Sequence, residues 1–560
     1  MTSSKIPVMD DLAVILSDAM DLQRMGRLDD AESIYQKVLD VQPDNASALH
    51  LLGTINHARS EYVMAIERIA KAILLAPDVA DYHANLASAY LATGQKEQAV
   101  GHARTAIRLD PTLASAHVNL GNALFAAGDV VEAVTAFDRA RTLDPTNDTA
   151  WTNYLFALCF DSSADSSKIF KANREWGRRV ESEVGPVHAL PVWNRDPKRR
   201  LRLAYYLPEL DTHVTARFVE PMLRAHDRGR FEIHLYGSRM DGHSPSAKLL
   251  EGADHWHDIG GLDPADQAAK MRRDGIDVLA HASTFKARYR TILAHRAAPV
   301  QIACINLVST TGLAEADYFF TDLSLSPTEE GDAHFTEQLV RLPVFNTYRA
   351  PDDTLPVGPL PAEKNGYVTF GSFNNVAKLS DEAVTVWGGI LKDVKNSKLV
   401  LKHRALTDTM VRERVLERFA AAGVRTDRVE LRGFDAAPSD YLANYHDIDI
   451  ALSPFPFGGG TTSYEALWMG VPVVTKKAPY FAGRFTESLL SYLKYPEFVA
   501  ADDEGYRRKA VTLADDIGEL AALRRRLRDE ARATIFNTAA FTQNFEAACV
   551  RVWKEKSGLK

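Results

Sequence analysis

Between Pro454 and Thr475 the chain reads PFPFGGGTTSYEALWMGVPVVT. A predicted buried strand ends at Leu452, the glycines Gly458, Gly459 and Gly460 follow, and Thr461 and Thr462 open an apolar helix. Glycine lets backbone come close to a ligand, and the first N–H groups of a helix have no acceptor within it. Free amides and two hydroxyls therefore gather where a phosphate binds well. Glu465, one turn further, is placed to accept hydrogen bonds from ribose hydroxyls. The same run also reads as a plain glycine turn with threonine capping. A second candidate is His213, in the segment ELDTHV just after the first predicted strand of the α/β region. A neutral imidazole near pH 7 can take the proton of an attacking hydroxyl. Asp447 and Asp449 form an Asp-x-Asp beside a predicted buried strand; solvated strand-edge carboxylates account for them better than a metal, and no metal is assigned. Lys402-His403-Arg404 ends a strand and offers charge either to a further acidic group or to solvent.

These residues need a scaffold that brings loops together. From Leu201 onward short β-rich runs alternate with helical stretches: 201–206, 231–236, 278–281, 300–307 and 318–321. Such alternation predicts a parallel sheet covered by helices. A proline-rich, acidic segment, 352–364, reads as a linker, and the pattern restarts at 367–373, 398–401, 429–431, 448–452 and 472–474. Two doubly wound domains in succession imply a cleft with ligands at the carboxyl ends of the strands. A two-domain binding protein, an epimerase and a two-Rossmann glycosyltransferase all fit that layout.

Before residue 160 the texture differs. Pro43, Pro77, Pro111 and Pro145 stand 34 residues apart; Ala31, Ala65, Ala99 and Ala133 precede them by twelve, and Gly26, Ser60, Gly94 and Gly128 by seventeen. This period predicts tetratricopeptide repeats, helix pairs that cover one another's apolar faces and suit an extended peptide. The expected domains are the repeats at 11–160, a helical linker at 161–197 with a helix near 168–184, and α/β halves at 198–357 and 358–560, the last with a C-terminal helix. The chain has 560 residues, 46% hydrophobic and 25% charged, with a formal charge of −8, which disfavours a general nucleic-acid binder. Cys159, Cys304 and Cys549 lack metal-ligand spacing and suit a reducing cytoplasm. No apolar run reaches about 18 residues and no leader is evident, so neither a membrane span nor secretion is expected.

The glycine run with its paired threonines, acidic residue and L-W-x-G-x-P-x-V-T continuation resembles the nucleotide-sugar motif of the O-GlcNAc transferase family. The likeness extends through Phe373-Asn374-Asn375-Val376-Ala377-Lys378, Ala298 to Gln301, Ser309-Thr310-Thr311-Gly312 and Asn173 to Arg178. It implies a tetratricopeptide α-solenoid followed by a GT-B pair of Rossmann-like domains, and a metal-independent, inverting transfer of a sugar to Ser or Thr without a cofactor. By matching position, Lys378 would neutralise the leaving diphosphate, with Thr461, Thr462 and the helix dipole assisting. His213 matches a family histidine placed as base or acceptor-positioning residue. Asn375 and Tyr441 stand where the family has glutamine and a histidine near the nucleobase, and Glu465 where it has aspartate. Gly458 replaces an asparagine, residues 306–308 replace a Gly-Tyr-Pro-Gly type turn, and 283–289 lacks the family's glycine-rich pattern. These departures border the sugar side, so the donor is either UDP-GlcNAc, the family default, or another sugar nucleotide.

The bacterial flagellin glycosyltransferases, which join such repeats to a diverged transferase, are a narrower likeness; it implies a CMP-nonulosonate donor such as CMP-pseudaminic acid and flagellin as acceptor. Asn85, Asn119 and Asn153 recur at the repeat interval, either as an amide ladder for acceptor backbone or as inter-repeat hydrogen bonds. Two other classes stay open: a scaffold with a silent transferase half, and an enzyme of small-molecule sugar nucleotides.

Overall fold

The computed structural model describes residues 9–187, 196, 198–210, 213–238, 247–282, 286–305, 307–328, 331–351, 354–435 and 437–559. Two compact units divide the chain, Met1–Tyr154 and Leu155–Lys560.

In the first unit helices alternate in antiparallel pairs, from Met9–Arg24 with Leu28–Val41 to Ala114–Ala127 with Val130–Leu143. The tight turns fall at Gly26, Ser60, Gly94 and Gly128, all with φ between 63° and 94°. Ser60 therefore holds the left-handed conformation that glycine adopts at the other three. Ala31, Ala65, Ala99 and Ala133 are fully buried, because the paired helices cross too closely for a larger side chain. Gly53 and Gly121, two repeats apart, show the same crowding: a Cβ on Gly121 would stand 2.5 Å from the Phe137 ring.

The second unit opens with the helix Ser166–Val184, capped by the Asp165 carboxylate, which accepts from Lys168 N–H at 2.7 Å. Seven strands follow: β1 (Leu201–Glu209), β2 (Phe231–Ser238), β3 (His255–Asp258), β4 (Val278–His281), β5 (Val300–Ala303), β6 (Tyr318–Thr321) and β7 (Gln338–Arg341). They form a parallel sheet in the order β3-β2-β1-β4-β5-β6-β7. A second parallel sheet, in the order β10-β9-β8-β11-β12-β13, contains β8 (Thr369–Ser372), β9 (Lys398–Lys402), β10 (Val429–Arg432), β11 (Ile450–Leu452), β12 (Val473–Lys476) and β13 (Val499–Ala500). Each expected strand is present, the run at 300–307 shortened to β5. The strands that patterning missed, β3, β7 and β13, are sheet edges; the sequence of β3 is HWHD and both its ends are exposed. Short edge strands bury little, so they carry little apolar signature.

Both sheets run outward from their first strand, then reverse, with β4 beside β1 and β11 beside β8. Loops leaving the two adjacent strands part to opposite faces, and a crevice opens between them. The final helix, Thr538–Ser557, returns to the first sheet: Glu546 accepts from Asp227 N–H at 2.8 Å and contacts His226 Nδ1 at 2.8 Å, and Lys556 pairs with Asp317 at 2.6 Å. The two α/β halves share one hydrophobic core, which includes Leu203, Phe320, Trp468 and Trp553.

Candidate functional site

The reversal in the second sheet explains why two stretches 80 residues apart in sequence meet. Beyond β8 the chain turns through Asn374 and Asn375 into a short 3₁₀ helix, Val376–Lys378, which Asn375 caps by accepting from Ala377 N–H at 3.0 Å. Beyond β11 it runs through the glycines into the helix Thr461–Trp468. Lys378 Nζ donates to the Gly458 carbonyl at 2.7 Å and lies 4.2 Å from the centre of the Phe457 ring. Thr462 Oγ1 donates to Asn374 Oδ1 at 2.9 Å. Lysine and helix N-terminus are thus held side by side.

The N–H groups of Ser463 and Tyr464 bond to the Gly460 carbonyl, at 3.0 and 3.2 Å. Those of Gly460, Thr461 and Thr462 have no acceptor among the described residues. Below the loop lies a buried hydroxyl cluster absent from the sequence-based site. Gly459 N–H donates to Ser453 Oγ at 3.0 Å, Thr486 Oγ1 donates to Gly459 O at 2.9 Å, and Ser463 Oγ meets Thr486 Oγ1 at 2.8 Å. Lone serines and threonines carry no pattern by which sequence could single them out. The glycines differ in need: a Cβ on Gly459 would stand 2.3 Å from Ser463 Oγ and one on Gly458 2.7 Å from the Gly483 carbonyl, whereas Gly460 faces open space. Gly458 therefore marks a backbone crossing, with no room for the asparagine of the family pattern.

Lys378 is half-buried, and burial pulls its pKa down to about 7. Among the described residues no carboxylate comes within ion-pair distance of it. A cation held in a crevice without a counterion, next to unpaired amides, is electrostatically incomplete and favours an anion. Glu465 is buried, and its carboxylate accepts from Arg217 at 3.0 Å and from the Tyr348 hydroxyl at 3.1 Å, with Tyr441 close by. Burial still raises its pKa, against the pull of Arg217 and the two tyrosines. Arg217 and Tyr348 come from the first half, so Glu465, expected to meet ribose, also ties the halves together. Tyr441 packs edge-on to Phe373, with ring centres 6.0 Å apart, and its hydroxyl is kept well above its ordinary pKa by burial and then Glu465.

His213 begins the helix His213–Ala225, directly beyond β1, and its side chain lies outside the described residues. Asn306 and 283–285 also lie outside them. At the end of β1, Glu209 pairs with Lys286 and accepts from the Tyr289 hydroxyl at 2.5 Å. Ser309 to Gly312, part of the family likeness, is bound into the fold by its hydrogen bonds. Thr310 donates to Glu337 at 2.7 Å, Thr311 also bonds to Glu337, and Arg290 links Asn173 Oδ1 at 2.9 Å to the carbonyls of Thr310 and Thr311. The two motif segments, 173–178 and 309–312, thus clasp one another. Asp447 pairs with Arg432 at 2.8 Å, and buried Asp449 accepts from Ala362 and Thr369 N–H, so each carboxylate has its own structural task. Lys402 is buried against Asp435 at 2.6 Å rather than solvated at a strand end.

In the repeats each asparagine amide reaches the preceding pair: Asn85 to His50 Nε2, Asn119 to Ala84 O and Asn153 to Asn122 Oδ1, all at 2.8 Å. The inter-repeat role is therefore present, and all three residues stay half-exposed.

The family model described as "Glycosyl transferase family 41" matches residues 187–353 and 360–545, and a tetratricopeptide-repeat model matches 17–81, 64–114 and 84–148. The chain is 33% identical over 411 residues to a probable UDP-N-acetylglucosamine–peptide N-acetylglucosaminyltransferase SPINDLY of Petunia hybrida, covering 72% of this chain and 44% of that one. The SPINDLY protein of Arabidopsis thaliana is 34% identical, with 72% and 45% covered. The chain thus spans less than half the length of the curated relatives it matches. A solved mutant of the Thermobaculum terrenum O-GlcNAc transferase superposes with a TM-score of 0.78 at 32% identity, covering 98% of this chain and 99% of that one. With the family model matched on both sheets and on the loops that meet beyond β8 and β11, the chain belongs to glycosyl transferase family 41.

Proposed function

We propose that the chain is an inverting, metal-independent protein O-glycosyltransferase that moves a sugar from a nucleotide donor to a Ser or Thr hydroxyl of a protein held by its repeats. One observation carries the reading: Lys378, half-buried with a pKa near 7 and lacking a carboxylate partner among the described residues, lies beside the free N–H groups of Gly460, Thr461 and Thr462. Breaking the bond from the anomeric carbon to the phosphate oxygen leaves negative charge on the nucleotide. Without a metal, that charge is met by a lysine and backbone amides already in place. The approach of phosphate raises the Lys378 pKa, so the lysine is protonated when the bond breaks. The acceptor oxygen enters from the opposite face, and His213, beyond β1, is assigned to take its proton or to orient it. Tyr441 and Asn375 are assigned to the nucleobase side, and Glu465 to the ribose through the wall it forms with Arg217. This reading assigns the reaction no cofactor and a cytoplasmic site, which the three separated cysteines suit. No helix among the described residues is long and apolar enough to cross a membrane.

The names of the relatives support UDP-GlcNAc as donor. Calorimetry with UDP and CMP tests this directly. Preference for UDP supports the default; preference for CMP moves the reading to a nonulosonate and to flagellin as first acceptor. Absence of binding by both sinks the reading. A scaffold role predicts instead that Lys378→Ala changes no modification of any partner.

A further inference from the structure

Away from this crevice, on the outer edge of the first sheet, one face of β2 and β3 gathers histidines and a carboxylate. Strand alternation places Glu232, His234 and Tyr236 on one side of β2, and register sets His234 opposite His255 and Tyr236 opposite His257. His255 Nε2 lies 2.9 Å and His234 Nε2 3.5 Å from Glu232 Oε1, and the three ligand atoms all fall within 4.8 Å of one another. Ligands of a tetrahedral ion with bonds of about 2.0–2.1 Å stand about 3.3 Å apart. Two of the three separations, 2.9 and 3.5 Å, are close to that spacing, and the third stays within 4.8 Å.

His234 gives the decisive observation. The residue is only 5% exposed, yet its buried Nε2 has no hydrogen-bond partner among the described residues. Its other nitrogen, Nδ1, lies 3.0 Å from His257 Nε2, and His257 Nδ1 faces Asp274 Oδ2 at 3.6 Å. Asp274 is fixed as an acceptor by the Tyr236 hydroxyl at 2.7 Å and Lys270 at 3.0 Å. The carboxylate favours the His257 proton on Nδ1, which leaves Nε2 to accept from His234 Nδ1–H. That tautomer turns the bare lone pair of His234 Nε2 toward Glu232. Glu232 Oε2 is occupied by Arg202 at 3.4 Å, with Arg200 at 3.9 Å, which leaves Oε1 for the cluster. Two acceptors face one another across a gap that a cation would fill. Metal-binding histidines are oriented by the hydrogen bond their other nitrogen donates; here an imidazole backed by a carboxylate accepts it.

We propose that Glu232, His234 and His255 bind one divalent transition-metal ion, with zinc the best fit, which fastens edge strand β3 to β2. Two imidazoles and one carboxylate suit the zinc, cobalt and nickel class over magnesium or calcium. His255, with a side chain 48% exposed, gives the ion its route in and leaves room for a water as fourth ligand.

The test is calorimetric titration of the full, chelator-stripped chain with Zn²⁺, repeated for His255→Ala, His255→Cys and His257→Phe, with Co²⁺ absorption as a second readout. Wild type should take up one ion per chain and show the intense visible bands of tetrahedral Co²⁺. His255→Ala should weaken binding at least tenfold, His257→Phe should weaken it by about tenfold through its backing role, and His255→Cys should retain it. His255 is half-exposed on an edge strand, so its variants are expected to fold, and circular dichroism would verify the fold of all three. Equal affinity of wild type and His255→Ala, or no stoichiometric uptake by wild type, overturns the proposal.

Discussion

The two sheets of the second unit share a strand order up to their sixth strand, yet their central crevices are finished differently. At the end of β1 in the first sheet, Glu209 is neutralised by Lys286 and bonded by Tyr289. Beyond β8 in the second, Lys378 has a carbonyl and an aromatic ring for company, with unpaired amides beside it. The same topology builds both crevices; among the described residues, side-chain pairing neutralises Glu209 at one and leaves Lys378 without a carboxylate, open to an anion, at the other. Fold supplies the meeting place and the loops supply the chemistry.

The strongest way to break this contrast is Lys378→Ala. Sugar transfer should fall by about 10²–10³, the usual effect of removing one preorganised charge stabiliser, while far-ultraviolet circular dichroism stays unchanged. Filling the crossing below the loop comes next. Gly458→Asn restores the family residue but drives a Cβ to 2.7 Å from the Gly483 carbonyl, so it should lower stability by about 1–3 kcal/mol, read as a lower melting temperature, with no gain in transfer. Glu465→Leu removes the buried acceptor of Arg217, whose side chain is 30% exposed. A cost of about 2–3 kcal/mol is expected, below that of a fully buried pair because Arg217 keeps some solvent.

A pH series sharpens the comparison. With a pKa near 7, Lys378 is charged below that pH and neutral above it, so anion binding at higher pH must take up a proton. Nucleotide affinity should therefore decline above pH 7, by up to about tenfold per unit, and Lys378→Arg should flatten the decline because arginine stays charged. Calorimetry in buffers of different ionisation enthalpy would detect the proton. Of the set, Asn119→Ala should act least: loss of its bond to Ala84 O should cost about 1 kcal/mol, and a rise in KM for a protein acceptor without a change for free nucleotide would reveal an acceptor contact as well.

Much of this was legible from residue types. The 34-residue period named the turns and the closely packed alanines, and the glycine run with its threonines located a helix start that does have free amides. The edge strands were less legible, because a four-residue run such as His255–Asp258, with Trp256 its one apolar residue, buries too little to leave a pattern. The supporting residues were invisible: Ser453, Ser463 and Thr486 are far apart in sequence, and only packing beneath Gly459 unites them. Glu465 shows the limit within a motif, since its spacing fixed its turn of helix but not the arginine and tyrosine that surround it.

Sequence by itself determined the repeat array, the two parallel sheets, the loop that presents amides and the family. These depend on periodicity and local backbone preference, which neighbouring residues carry among themselves. Tertiary structure decided that Lys378 stands against Gly458, that it lacks a carboxylate among the described residues, and that His234 turns an unpartnered nitrogen toward Glu232. The physical reason is that desolvation and pairing depend on which distant strands become neighbours, and strand order is settled only when the whole sheet assembles.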